Sequence, residues 1–284
     1  MTTPNLSELI TTTLRDRSGE LADNVSKGNA LLRRLKEKGG WKSAQGRTIV
    51  QELDYAENGT FMYYSGGETL DISASDVMTA AEFNWKQAAC AVTATGLEID
   101  VQNVGKAAVI DMLEARIKNA QRTMRNNICN GMYSAGTGTG GKQIGGLQLI
   151  VSDTGSTGTV GGINAATYSF WRNKDYDASA DGGTAATATN IQTYMNRLWL
   201  ECVRGPDKPD LLLADSVYYA LFWASLQAIQ RINDPTRGVA GFKSVGFESA
   251  DVVYEDNTGM PASHIYFLNS DYLFLRYAPR RLFK

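Results

Sequence analysis

Two groups of residues have the types and spacing that chemistry could use. Gly136, Gly138 and Gly141 in the run GTGTGG satisfy the dinucleotide pattern GxGxxG, and Lys142 extends it to GxxxxGK. Such loops cradle phosphate only when they follow a strand and open a helix, so that backbone N–H groups face the anion. Here the glycines follow a long helical stripe, residues 147–151 after them read as a strand, and Gln143 stands where a magnesium-binding hydroxyl belongs. The run reads as a turn. His264, the single histidine, opens the apolar run HIYFL and reads as a strand-end residue, not a base. Cys90, Cys129 and Cys202 are odd in number, widely spaced and without a CxxC, which fits small packed thiols in a reducing compartment. Neither GxSxG nor HExxH occurs, and no carboxylate pair is singled out. No catalytic residue, cofactor or metal is expected.

The second group is a matter of charge. Residues 1–45 hold eight basic and five acidic side chains, a net of +3, with Arg33, Arg34, Lys36 and Lys38 clustered. Residues 46–85 hold seven acids and one arginine, a net of -6. A basic segment beside an acidic one invites contact between copies of the chain. Over all 284 residues the net charge is -2, so no general basic field marks a nucleic-acid binder. No apolar run nears the roughly 20 residues that span a bilayer, and the first residues lack the pattern of a secretory signal. Apolar residues at 43% are enough for a sizeable core without staples.

The elements that must position these groups follow from periodicity. Residues 1–45 read as an arm of two short helices, the second over 30–38 and ended by Gly39 and Gly40. Neither buries enough to fold alone. Residues 46–85 read as a long hairpin turning at Asn58 and Gly59, with Glu57 facing Thr60, Tyr55 facing Met62 and Leu53 facing Tyr64. One face would carry Ile49, Leu53, Tyr55, Met62 and Tyr64, the other Glu52, Asp54 and Tyr63. Residues 106–134 carry one apolar stripe (Val109, Leu113, Ile117, Ala120, Met124, Ile128) and read as a rod-like helix. Residues 190–284 read as compact α/β structure: a helix over 190–204, a buried strand at Leu211, Leu212 and Leu213, a helix over 216–232 capped by Asp215, a loop over 233–241, and strands over 251–254, 265–268 and 272–277. The front third is therefore expected to be unfinished in a single copy.

This order of parts resembles the major capsid proteins of tailed double-stranded DNA bacteriophages, the Johnson or Hong Kong ninety-seven-like capsid fold. The likeness extends to the segments RTIVQELDYAENGTFMYYSG, MLEARIKNAQRTM, GGKQIGGLQLIVSDT and GTVGGINAATYSFWRN. It implies an α+β fold with an N-arm (1–45), an extended β-hairpin loop (46–85), a peripheral domain (86–189) with its spine helix over 106–134, an axial domain (190–262) and closing strands (263–284). It further implies a non-enzymatic subunit that assembles with itself into hexamers and pentamers of an icosahedral shell around DNA, in a virion made in a bacterial cytoplasm. A portal and separate scaffolding or decoration proteins would be further partners, since the chain opens without a long charged helical prefix.

The implied inter-subunit residues are Arg33, Arg34, Lys36, Lys38, Glu52, Asp54, Tyr55, Glu57, Asn58, Gly59, Met62, Tyr63, Tyr64 and Glu68. Asp234, Pro235, Arg237 and Gly238 would lie at the capsomer centre. No lysine lies between Lys42 and Lys86, so the loop offers no amine for a covalent cross-link and the shell is expected to be non-covalent. An encapsulin-like compartment is the alternative within the same fold, and a nucleotide-binding enzyme using Gly136 to Lys142 the alternative outside it.

Overall fold

Leu211–Ala214 is the most buried strand of the molecule, at most 3% exposed along its length, and the rest of the fold is arranged to cover it. A computed structural model describes residues 29–96, 106–226, 244–255 and 259–279, with backbone alone at 106–113 and 244. In chain order the elements are α1 (Ala30–Glu37), β1 (Trp41–Ser43), β2 (Ile49–Asp54), β3 (Met78–Phe83) and the long α2 (Lys106–Gly131). A short helix α3 (Leu147–Ile150), the small pair β4 (Thr159–Val160) and β5 (Ile163–Asn164), and α4 (Ile191–Cys202) come next. Then follow β6 (Leu211–Ala214), α5 (Ser216–Ser225), β7 (Ser244–Phe247), β8 (Ala250–Tyr254), β9 (Ile265–Leu268) and β10 (Leu275–Tyr277).

The main sheet has the order β7-β8-β6-β9, with β6 parallel to β8 and antiparallel to β9. Alternation along β6 sends Leu211 and Leu213 to one face and Leu212 and Ala214 to the other. A strand buried on both faces has no polar positions, which is why it reads as an unbroken apolar run. Ile191, Met195 and Trp199 of α4 and Phe222 of α5 cover one face, with Phe247 packed edge-on to both Trp199 and Phe222. The Asp215 carboxylate caps α5 by accepting from the Tyr218 N–H at 2.9 Å.

The other face is covered by the front of the chain. Ala30, Leu31 and Leu35 of α1 join Met132, Tyr133 and Leu147 against Leu211, Leu213, Val253, Tyr266 and Leu268. This corrects the expectation that the front third has no place in a single copy. Residues 29–43 pack on the chain's own sheet, because the three-residue stripe of α1 needs only a partner surface, and the sheet supplies it. Residues 1–28, with the first expected arm helix, lie outside the described residues.

α1 is capped at both ends. Asn29 Oδ1 accepts from Leu32 N at 2.5 Å. At its other end Gly40 N donates to Leu35 O at 2.7 Å and Gly39 N to Lys36 O at 3.3 Å, a Schellman closure with Gly39 at φ 70°. Gly40 also lies so close to the last strand that a Cβ there would sit 2.7 Å from Leu273 O. Its carbonyl accepts from Leu275 N, and β1 then runs parallel to β10.

Three local expectations differ from the structure. The strand expected over 147–151 is instead the short helix α3 (Leu147–Ile150), where Gly146 N and Leu147 N are held on Ser134 O and Met132 O. The strand expected over 272–277 is shortened to β10 by a single 3₁₀ turn at Ser270–Tyr272, capped by Asn269. Cys90 is exposed, whereas Cys129 is buried and Cys202 partly so. Burial raises the pKa of both Cys129 and Cys202 and keeps them as inert thiols.

Two carboxylates, one buried and one partly buried, tie the layers together. Glu255, 3% exposed at the end of β8, accepts from Ala30 N at 2.9 Å and from the Tyr133 hydroxyl at 2.8 Å. Burial first, and then the Glu255 charge, pushes the Tyr133 pKa far up, so its hydroxyl remains a donor. Asp210, before β6, accepts from Ser270 N and Ser270 Oγ and pairs with Arg34 and Lys38. Burial is the largest influence on Asp210 and would raise its pKa. The Ser270 hydrogen bonds and the Arg34 charge together outweigh it and hold the carboxyl below its ordinary value.

Glu255→Ala leaves two buried donors unsatisfied and is expected to lower unfolding stability by roughly 2–4 kcal/mol in urea titrations. A depressed folded-state pKa stabilises above the unfolded value of about 4 and is lost as pH falls through the folded one. The urea midpoint is therefore expected to drop on acidification below about pH 4, and to drop less in Asp210→Asn.

Candidate functional site

The feature that stands apart from this body is the excursion between β2 and β3. The strands pair antiparallel from Ile49↔Phe83 to Asp54↔Met78. This corrects the expected register around Asn58 and Gly59. Asn58 Oδ1 turns inward and accepts from Thr60 N at 3.0 Å and Thr60 Oγ1 at 2.8 Å, a local Asx-type turn that needs no strand partner. The partner strand comes instead from MTAAEF, whose small residues fit the surface below. Ala81 is fully buried. A Cβ on Gly161, at φ 59°, would lie 2.8 Å from that of Ala81. No Met or Tyr fits that approach. The expected alternation along β2 stands, with Ile49, Gln51 and Leu53 half-buried and Val50, Glu52 and Asp54 exposed.

The base of the excursion is anchored. Glu82 N donates to Gly161 O at 2.9 Å and Trp85 Nε1 to Gly46 O at 2.9 Å. Tyr55 N reaches Val77 O, its hydroxyl donates to Asp76 O, and its ring stacks on Phe170 at 4.7 Å. Beyond Tyr55 the chain has no regular structure until β3, far longer than an ordinary hairpin loop. Its internal ties are mostly short-range, among them Ser65 N to Glu68 Oε2 at 3.0 Å, Ser73 N to Asp71 Oδ1 at 2.9 Å and Phe61 edge-on to Tyr63, while Gly59 N to Ser75 Oγ at 3.4 Å reaches across it.

This loop is apolar and uncovered. Phe61 is 76% exposed, Tyr63 90%, Tyr64 66% and Ile72 93%, with Met62 and Leu70 also exposed. Single exposed apolar residues are ordinary; a contiguous set on one unsupported loop marks an interaction surface. Glu57, Glu68, Asp71 and Asp76 share it, Glu52 and Asp54 are exposed on β2 leading into it, and none of the six has a cationic partner within 4 Å among the described residues.

The structure places the basic cluster elsewhere. Arg34 Nη2 lies 3.1 Å from Asp210 and Nη1 3.8 Å from Asp251; Lys38 Nζ lies 3.2 Å from Asp271 and 3.7 Å from Asp210. Arg33 pairs with Glu37 at 3.0 Å, and Lys36 lies over the Trp41 ring at 5.2 Å. Arg34 and Lys38 thus fasten α1 to its own body. Asp234, Pro235, Arg237 and Gly238 lie outside the described residues.

Among the motifs weighed for chemistry, the glycine run is a turn through Thr139, Gly140 and Gly141, all at positive φ, and only the four-residue α3 follows it. His264 sits before β9, with Nε2 3.1 Å from Asp153 Oδ1. A shallow groove of about 300 Å³ lies between residues 90–95 and α2, lined by Cys90, Thr93, Arg116 and Asn119. Among the described residues no three His, Cys, Asp or Glu gather as a metal set, and no helix is long and apolar enough to cross a membrane.

No protein-family model matches this chain, and no curated protein matches it. Among solved structures it is similar to a chain of the cyanophage A-1(L) capsid asymmetric unit, with TM-score 0.63 and 16% identity over 97% of this chain and 80% of that one. At that identity the likeness is one of fold, and the chain has a phage capsid-like α+β fold.

Arg34→Glu sets a carboxylate between Asp210 and Asp251 and is expected to cost about 3 kcal/mol or more. Lys36→Glu loses only an exposed ring contact and is expected to cost less than about 1 kcal/mol. Urea denaturation of the two variants separates a fastening role from a surface one.

Proposed function

We propose that this chain is the structural subunit of a phage-type icosahedral capsid, in the Johnson arrangement, and that it has no catalytic role. Copies assemble into hexamers and pentamers that close into a shell around double-stranded DNA without sequence-specific contacts. The observation that carries this reading is the uncovered loop, with Phe61, Tyr63, Tyr64 and Ile72 in solvent, on a chain whose fold matches a capsid chain over 97% of its length. A head-to-tail contact, in which the loop of one copy lies on the body of the next, leaves a fresh loop and a fresh body at each step and so builds rings and shells.

Of the inter-subunit residues, Glu52, Asp54, Glu57, Met62, Tyr63, Tyr64 and Glu68 belong to this contact directly. Tyr55, Asn58 and Gly59 shape the loop from within. The axial loop with Asp234, Pro235, Arg237 and Gly238 is assigned to the capsomer centre by the same reading. Contacts are non-covalent, since the loop carries no lysine. A portal and separate scaffolding or decoration proteins complete the virion in this reading.

Electron microscopy and sedimentation of the purified chain, alone or with a scaffold, are expected to show capsomers or shells. Replacing residues 57–75 by a short turn is expected to leave the thermal transition of the body in place while abolishing assembly. Shells formed without the loop, or a monodisperse monomer under every assembly condition, would overturn the reading.

A further inference from the structure

The parallel pairing of β1 with β10 sets Lys42 directly beside Arg276. Both cations lie over one ring, Lys42 Nζ at 3.7 Å and Arg276 Cζ at 5.3 Å from the centre of Phe274. Like charges on adjacent strands repel, and the ring offsets only part of that. The two form a short basic strip, and Arg47, a few residues further along the chain, is exposed as well. Among the described residues neither Lys42 nor Arg276 has a carboxylate within 4 Å; Arg276 Nη2 donates to the neutral Gln51 Oε1 at 3.0 Å. The acids of the loop likewise have no cation within 4 Å among the described residues. Among those residues one chain therefore displays a basic seat without a carboxylate and an acidic, aromatic loop without a cation.

We propose that the Lys42–Arg276–Phe274 seat receives the acidic loop of a second copy of this chain. The inference rests on the shell reading and deepens it by naming the receptor. Gln51 roots the chain's own loop beside the seat, so one copy's seat meets its neighbour's loop head to tail. Arg34 and Lys38, spent on Asp210, Asp251 and Asp271, have no part in it.

The full-length double variant Lys42→Glu/Arg276→Glu is expected to lower the yield of assembled particles at least tenfold, with the thermal transition of the body unchanged. Adding Asp54→Lys and Glu57→Lys to the same chain restores complementarity at every contact and is expected to recover assembly. Normal assembly by the double variant would overturn the seat while leaving the shell reading intact, provided the loop replacement still abolishes particles. Intact particles with reduced nucleic-acid content would also overturn it, marking the strip as a polyanion surface. Failure of the fourfold variant to recover, although folded, would remove the loop as occupant. Assembly by the loop-replaced chain would overturn both readings together.

Discussion

Burying a strand on both faces is the constraint from which the rest of this molecule follows. β6 offers Leu211 and Leu213 to one side and Leu212 and Ala214 to the other, and an apolar face left in water would forfeit most of what folding gains. The middle of the chain covers one side with α4 and α5. The other side is covered from a distance, by α1 near the start and by Tyr133 and Leu147 near the end of the long helix. Polar groups then hold what the apolar surfaces bring together. Glu255 joins the first turn of α1 to Tyr133, and Asp210 joins α1 to the turn after β9.

With the sheet covered in this way, Phe61, Tyr63, Tyr64 and Ile72 of the loop between β2 and β3 remain exposed. Its base is tightly held, by Ala81 against Gly161 and Tyr55 against Phe170, so the apolar tip is presented from a stable root. That combination differs from a disordered segment, which would be poor in aromatic residues. The idea that the front third depends on other copies thus divides in two. The helix of the arm is satisfied at home, and the loop is not.

Much of the body was legible in the sequence because its signals are local. Three consecutive leucines mark β6, Asp215 before an apolar stretch marks the start of α5, and paired glycines mark the end of α1. The stripe of the long helix was equally clear. The loop register was not, since Asn-Gly reports a turn propensity whereas the strand partner is chosen by the fit of Ala81 under Gly161, residues far apart in sequence. The fate of the basic cluster was hidden for the same reason. Arg34 and Lys38 look like a solvated face until Asp210, Asp251 and Asp271 are brought beneath them. Lys42, Phe274 and Arg276 carry no signal at all, because three-residue strands are too short to show a period.

The pairing of β1 with β10 joins residues 41–43 to residues 275–277, strands far apart in sequence. A ribosome delivers the first of these strands well before the second, and loop closure over such a span comes late in folding. A growing polypeptide therefore carries the excursion between β2 and β3 before β10, and with it the Lys42–Arg276 pair, can form. The contact proposed between copies thus depends on a pairing that only the folded body supplies.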